Sequence, residues 1–354
     1  MKKLLVLTVS LLLVVTLFAG CASTATPAAS SAPAASSEPA ASSAPAASSE
    51  PAASSEPAAS TPKSIAYLTP STAVDFWNYV QAGVQQICDE NGWTLTTYDS
   101  KDNAETQLAN AQNAITKKVD AIVISPVESA SCPAVLKIAK EANIPVVIAD
   151  IGTESGEYLA YVSTPNKEGA NEVGKYVAEY ISENNLPKGP VAEVTIPLAR
   201  INGQNRQNGF KEAMDEAGIK MGTVLQSKAI TIDEGYKFGQ NIIAGEKDLV
   251  GIWSHHALAT IGLVKAIDDA GLTGKVFVAG FDGDPQVVQY LKEGKVLVCG
   301  AQQPVTMGAE AAKALKTYFD GGTPEKEISV PVLLLTKDNI EEMEATAEKT
   351  VYIK

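Results

Sequence analysis

From Ser64 onward the chain alternates short runs of uninterrupted apolar residues with longer amphipathic stretches. Ala121-Ile122-Val123-Ile124 and Val146-Val147-Ile148 show no polar alternation, so both faces of those strands need cover. A parallel sheet between two layers of helices supplies that. The spacing predicts strands at 65–69, 93–98, 121–125, 146–150 and 158–163, with helices at 76–91, 104–117 and 130–142 between them. The same rhythm follows, with helices at 168–183, 204–216, 234–244 and 258–270 and strands at 191–195, 224–229, 250–254 and 276–280. Asn91-Gly92, Ala217-Gly218 and Ala270-Gly271 end helices as expected. Repeated strand–helix units with right-handed crossovers give an α/β fold of two doubly wound parallel-sheet lobes.

Ligands of open parallel sheets bind beyond the carboxyl ends of the strands. Thr69-Pro70-Ser71, Ser125-Pro126, Asp150, residues 197–206, Ser254-His255-His256 and Phe281-Asp282 are therefore the segments that carry chemistry. Loops are polar in any protein, but here several polar and charged loop ends converge on one edge.

Residues 1–62 are of a different kind. Lys2 and Lys3 precede an apolar run, 4–18, which is short for a membrane span and suited to a signal peptide. The run ends in Leu17-Phe18-Ala19-Gly20-Cys21, which resembles a bacterial lipoprotein box, with Phe18 where that box has Leu. Residues 1–20 are expected to be removed and Cys21 acylated, giving an extracytoplasmic chain anchored to the cell membrane; the alternative is an ordinary secretory signal with an incidental cysteine. Residues 21–62 repeat a Pro-Ala-Ala-Ser-Ser pattern with prolines at 27, 33, 39, 45, 51 and 57. Without large apolar side chains to bury, this segment reads as a disordered, extended linker.

The formal net charge is −13, or −15 once Lys2 and Lys3 are lost, and no basic stripe interrupts it, which excludes a nucleic-acid partner. Cys88, Cys132 and Cys299 lie in apolar stretches at spacings of no metal motif. His255 and His256 are the two histidines, and adjacent side chains diverge, so no metal or other cofactor is expected. The sequence holds no G-x-S-x-G elbow and no Walker A loop, and Gly280-Phe281-Asp282-Gly283 lacks dinucleotide spacing. Asp150 and Asp282 invite comparison with a glycosidase pair, but Arg206 is expected to keep both ionised. The chain is expected to catalyse nothing.

Several motifs in order carry a family resemblance: Ile65-Ala66-Tyr67 through Asp75-Phe76-Trp77 to Gly83, Ser125-Pro126, Ala142-Asn143-Ile144-Pro145-Val146-Val147 with Asp150, Arg206 ahead of Phe210, Gly280-Phe281-Asp282-Gly283, and Gln302-Gln303-Pro304. Together they resemble the type I periplasmic binding proteins, in particular the ribose-binding-protein-like sugar group. The related repressors carry a DNA-binding headpiece that this sequence lacks. The resemblance implies a three-stranded hinge, with an N-terminal lobe of 63–164 plus 303–331 and a C-terminal lobe of 165–302 plus 332–354. It implies ligand contacts from Phe76 and Trp77 against a sugar ring, hydroxyl contacts from Asp150, Arg206 and Asp282, and further contacts from Ser125, His256 and Gln302. Ile151 stands where the family has Arg, and Val74, Ser125 and His256 where it has Asn. Ribose is thereby doubtful, and a deoxy sugar, sugar alcohol or less polar hydroxylated ligand fits as well. The implied function is capture of a small sugar or polyol, as a monomer, for the permease of an ABC importer. Open alternatives are a sensory protein that docks on a membrane receptor and a binder of nucleosides or furanone signals.

Overall fold

A computed structural model describes residues 62–353 of the chain. The expected signal peptide, the linker up to residue 61 and Cys21 lie outside the described residues.

The first sheet is built from β1 (Ser64–Thr69), β2 (Thr94–Asp99), β3 (Ala121–Ile124), β4 (Val146–Ala149) and β5 (Ala160–Ser163). They alternate with α1 (Asp75–Glu90), α2 (Ala104–Thr116) and α3 (Cys132–Glu141). The chain then crosses to a second sheet through α4 (Asn166–Glu183). That sheet holds β6 (Val191–Thr195), β7 (Met221–Gln226), β8 (Gly251–Ser254), β9 (Phe277–Phe281) and β10 (Val298–Ala301). Its helices are α5 (Ile201–Glu216), α6 (Ile232–Gly245), α7 (Ala257–Asp269) and α8 (Pro285–Glu293). The chain returns through α9 (Pro304–Phe319) to β11 (Glu327–Ser329), then crosses again to β12 (Leu333–Thr336) and α10 (Ile340–Thr350). Three crossings join the two α/β lobes.

The sheets share one design. Their strand orders are β11-β5-β4-β3-β1-β2 and β12-β10-β9-β8-β6-β7, so β1 to β5 correspond in position to β6 to β10. All pairings are parallel except β10 with β12. The period of two is visible in the cores. On β1, Ile65 and Tyr67 pack into one apolar cluster with α1 and α9, while Ala66 and Leu68 pack into another with α2 and α3. The continuous apolar runs therefore cover both faces, as their composition required. Cys88, Cys132 and Cys299 are fully buried free thiols within these layers.

Helices α1 and α9 touch at glycine. A Cβ on Gly308 would lie 1.9 Å from the Val80 carbonyl oxygen, and one on Gly83 would lie 1.9 Å from the Val305 carbonyl oxygen. Only bare backbone allows this approach, and it fixes α1, whose first turn carries Phe76 and Trp77.

Element bounds shift by a few residues throughout, and two of the shifts have a clear local cause. The edge strand β7 ends at Gln226 rather than at 229, because the Glu234 carboxylate accepts from the Lys228 and Ala229 amides and ties them to the start of α6. Helix α5 begins at Ile201 rather than at 204. Asn202-Gly203 has the composition of a turn, but Gly203 packs tightly on Ile196 and the Pro197 carbonyl inside the first helical turn.

Candidate functional site

The two lobes face each other at the carboxyl ends of their strands, around a cleft of about 730 Å³ counting its open mouth. That is within the usual size of small-molecule sites.

Its two central carboxylates occupy matched positions. Asp150 follows β4 and Asp282 follows β9, the fourth strand of each lobe in chain order. Both adopt left-handed backbone, with φ of 67° and 69°. Both amides donate to the neighbouring strand, Asp150 to the Val162 carbonyl and Asp282 to the Gly300 carbonyl. A left-handed residue after a strand turns the chain sharply and swings its side chain beyond the sheet edge. Asp tolerates that conformation better than most residues. Each lobe thus presents one carboxylate to the cleft by the same local device.

Arg206, on α5, is 2% exposed. Its Nε donates to Asn166 Oδ1 at 2.8 Å and its Nη1 to the His255 carbonyl at 2.6 Å. The guanidinium lies 4.3 Å from the Phe281 ring centre, and Nη1 is 3.6 Å from Asp282 Oδ1. These acceptors make the buried cation tolerable. Gln302 donates from Nε2 to Asp282 Oδ1 at 2.6 Å. Phe76 and Trp77 form an edge-to-face pair, with ring centres 4.9 Å apart, on the first-lobe wall. Trp77 is anchored in the core, and Phe76 is half-buried at its margin.

His256 also lines the cleft. Its Nδ1 accepts from the Ala259 amide at 3.2 Å, so the proton resides on Nε2, which is 3.0 Å from Ser227 Oγ. Both nitrogens are committed within the second lobe, and the ring caps α7. Burial and the neighbouring cations hold its pKa down to about 3, so the ring is neutral. His255 turns the other way, 2.8 Å from Glu193 Oε1.

Ser125 is the exception among the residues the resemblance nominated. It lies outside the cleft, fully buried, with Oγ 3.1 Å from the Tyr67 hydroxyl and its carbonyl accepting from Gln107 Nε2. Gln107 Oε1 accepts in turn from the Val127 amide, so this group braces the loop after β3. The other seven nominated residues, Phe76, Trp77, Asp150, Arg206, His256, Asp282 and Gln302, all line the cleft.

Among the cleft residues not singled out from the sequence, two bear directly on Asp150. Arg200 stands at the N-cap position of α5, and Asn202 sits in its first turn. Their segment was flagged by its place after a strand, but the misplaced helix start concealed which side chains point inward. Asn202 Nδ2 donates to Asp150 Oδ2 at 3.1 Å, which leaves Asp150 Oδ1 buried with no hydrogen-bond partner among the described residues. Gln302 Oε1 is in the same condition. Unpaired buried acceptors are costly, and both belong to residues that line one cavity.

Burial also alters protonation. The Asp150 carboxyl is pushed up to about 6, by desolvation above all, then by Asp282; Arg206 and Arg200 act in the opposite direction. Asp282 is likewise raised, again chiefly by burial, despite Arg206 and Gln302. Arg206 therefore does not hold both carboxyls low, contrary to the expectation from sequence. A raised carboxyl binds its proton more tightly in the shut cleft than in water, where its value is about 3.9. Ionised Asp150 thus disfavours the shut, ligand-free form above pH 6, and that penalty is relieved as pH falls through 6. Small-angle scattering of the ligand-free protein should show a smaller radius of gyration at pH 5 than at pH 8, and Asp150→Asn should flatten the difference. A larger radius at pH 5 with the fold intact would contradict this.

The periplasmic binding protein domain family matches residues 65–323. The ribose import binding protein RbsB of Escherichia coli is 26% identical over 276 residues, covering 77% of this chain and 90% of the relative. The D-ribose/D-allose-binding protein of Pseudomonas aeruginosa is 29% identical over 286 residues, covering 77% and 88%. Among solved structures, an ABC transporter periplasmic solute binding protein from Actinobacillus succinogenes with bound D-allose aligns with a TM-score of 0.74 at 25% identity, covering 80% of this chain and all of that one. A solute binding protein from Bacillus halodurans with bound myo-inositol gives a TM-score of 0.74 at 24% identity, covering 82% and 99%, a likeness of fold. With this match across most of the described residues, and with two lobes of common topology around one cleft, the chain belongs to the periplasmic binding protein domain family.

Proposed function

We propose that this chain captures a small sugar or polyol between its lobes, outside the cytoplasm, and delivers it to the permease of an ABC importer. The observation that carries the reading is the pair of unpaired buried acceptors, Asp150 Oδ1 and Gln302 Oε1. A molecule rich in hydroxyl donors satisfies both. Phe76 and Trp77 add an apolar wall suited to the C–H face of a ring. The relatives named above for ribose and allose, and the neighbours with bound allose and myo-inositol, support the same ligand class.

His256 offers a ring face where an amide would offer hydrogen bonds, and Ile196, Ile230 and Leu258 extend the apolar lining. This combination favours a ligand with an apolar edge, such as a deoxy sugar or cyclic polyol. Binding leaves the ligand chemically unchanged, and the protein acts as a monomer. Acylation at Cys21 would hold it at the membrane, with the Pro/Ala/Ser segment as spacer.

A thermal-shift screen with D-ribose, D-allose, myo-inositol, deoxy sugars, nucleosides and furanones tests the ligand class. A ligand at 100 times its dissociation constant adds about 2.7 kcal/mol of stability. A shift from sugars or polyols alone is expected, with the compound recovered intact by mass spectrometry. A shift from nucleosides or furanones alone would overturn the class. For the anchor, Cys21→Ser should move the protein from the membrane to the soluble fraction; equal partition of mutant and wild type would refute it.

A further inference from the structure

The segment at the start of α5 belongs to the second lobe, yet several of its polar groups bond to the first. Arg200 Nε donates to the Val127 carbonyl at 3.0 Å, and its Nη2 lies 3.4 Å from Asp102 Oδ1. The Ile201 amide donates to Ser129 Oγ at 3.2 Å. Asn202 Nδ2 reaches Asp150 Oδ2 at 3.1 Å. Three consecutive residues thus make four polar contacts with three separate loops of the opposite lobe, those following β2, β3 and β4. None of these contacts needs a ligand.

We propose that Arg200, Ile201 and Asn202 form a clasp that shuts the cleft directly and positions Asp150 for the ligand, so that closure is partly encoded in contacts between the lobes. This rests on the capture reading above and adds to it a determinant of retention that lies in contacts between the lobes.

The geometry gives the three residues different tasks. Arg200 is 8% exposed and lines the cleft, so its bond to Val127 is shielded from water. A hydrogen bond from a charged donor in such surroundings is the strongest member of the set. Asp102 is about half exposed at its side chain, so the ion pair contributes less. Asn202 binds one carboxylate oxygen of Asp150 and thereby sets the direction of the other. It is a positioning residue, and it reaches Asp150 only when the lobes meet. The loop that receives Arg200 is itself braced, since Gln107 holds both the Ser125 carbonyl and the Val127 amide. The Ser125–Gln107 group therefore fixes the strike of the clasp while standing away from the ligand.

Opposing the clasp are the buried carboxyls of Asp150 and Asp282, together with Asp75 and Asp284, which come from opposite lobes and both line the cleft. Arg200 and Arg206 are the cations that face this group. The ligand-free chain is consequently balanced between open and shut rather than held open.

The test uses the full chain without ligand. Nitroxide labels are attached through Glu105→Cys and Lys228→Cys, exposed positions that follow β2 in one lobe and β7 in the other, in a Cys21→Ser background. Cys88, Cys132 and Cys299 are buried and stay unlabelled. Pulsed electron resonance then reads the distance between the lobes. Wild type should show a short-distance population, and Arg200→Ala should lower its ratio to the open form by about tenfold or more. Arg200→Lys should restore part of it, Asp102→Ala should lower it only a few-fold, and the Arg200–Asp102 double variant should fall short of the summed effects. The melting midpoint of each variant should stay near wild type, because the contacts lie between the lobes and not within either core. A distance distribution identical in wild type and Arg200→Ala, or a loss of melting midpoint that tracks the loss of the short distance, would overturn the clasp. A sugar screen without a positive would instead overturn the ligand reading and leave these distances unaffected.

Discussion

Replacing Asp282 by Ala should weaken sugar binding by about ten- to a hundredfold or more, while the second lobe remains folded. The magnitude follows from the bonds lost. Hydrogen bonds to charged groups contribute about 1.5–3 kcal/mol, and each 1.4 kcal/mol is tenfold in affinity. Asp282 accepts from Gln302 and stands beside Arg206, so its removal frees both from their orientation toward the ligand. The lobe survives because Arg206 keeps Asn166, the His255 carbonyl and the Phe281 ring. Ala is a poor fit to the left-handed backbone at this position, where φ is 69°, and adds a modest stability cost. Asp282→Asn separates the two effects, since Asn accepts that backbone and lacks only the charge. Titration calorimetry with circular dichroism as the folding control checks both variants. Unchanged affinity in a folded Asp282→Ala protein would remove this carboxylate from the site.

Gly308→Ala is expected to be among the most damaging small substitutions in the first lobe, at about 3 kcal/mol, the upper end for overpacking. The added methyl would lie 1.9 Å from the Val80 carbonyl oxygen, and the obstacle is backbone, which cannot rotate away. Helices α1 and α9 would have to separate along their whole contact. Because α1 begins at Asp75 and carries Phe76 and Trp77 into the cleft, the same change should also weaken sugar binding. Gly321→Ala is a useful contrast: its Cβ would meet nothing within 4 Å, so its cost comes only from the left-handed backbone, where φ is 83°. Thermal and urea unfolding compare the two. A Gly308→Ala protein as stable as Gly321→Ala would mean that the glycine contact between α1 and α9 is looser than described.

The layering of the fold was legible in the sequence. Runs such as 121–124 are apolar at every position, and that alone demands two covering layers; the structure buries each of those residues completely. Asp150 and Asp282 were legible because they directly follow such runs, and a charge at that boundary has no place in either core. Arg200 and Asn202 were not, because their meaning lies across the cleft. Nothing local to Arg200-Ile201-Asn202 records that Val127, Ser129 and Asp150 come to meet it. Ser125 departs in the opposite sense, since it is absent from the cleft lining. It stands at the end of β3, where site residues gather, but Tyr67 rises beneath it and takes its hydroxyl. The protonation of Asp150 was misjudged for a related reason. The sequence shows that Arg206 is available, but the depth of burial, which outweighs that cation, is a property of the assembled lobes.

The ligand itself supplies the decisive measurement. A crystal structure of the chain with whichever sugar or polyol stabilises it in the screen should place that molecule between the lobes. One hydroxyl should lie within hydrogen-bond distance of Asp150 Oδ1, another within reach of Gln302 Oε1, and the ring against Phe76 and Trp77. A bound sugar that leaves both acceptors unpaired, or that sits outside the cleft, would contradict the assignment of this cleft as the capture site.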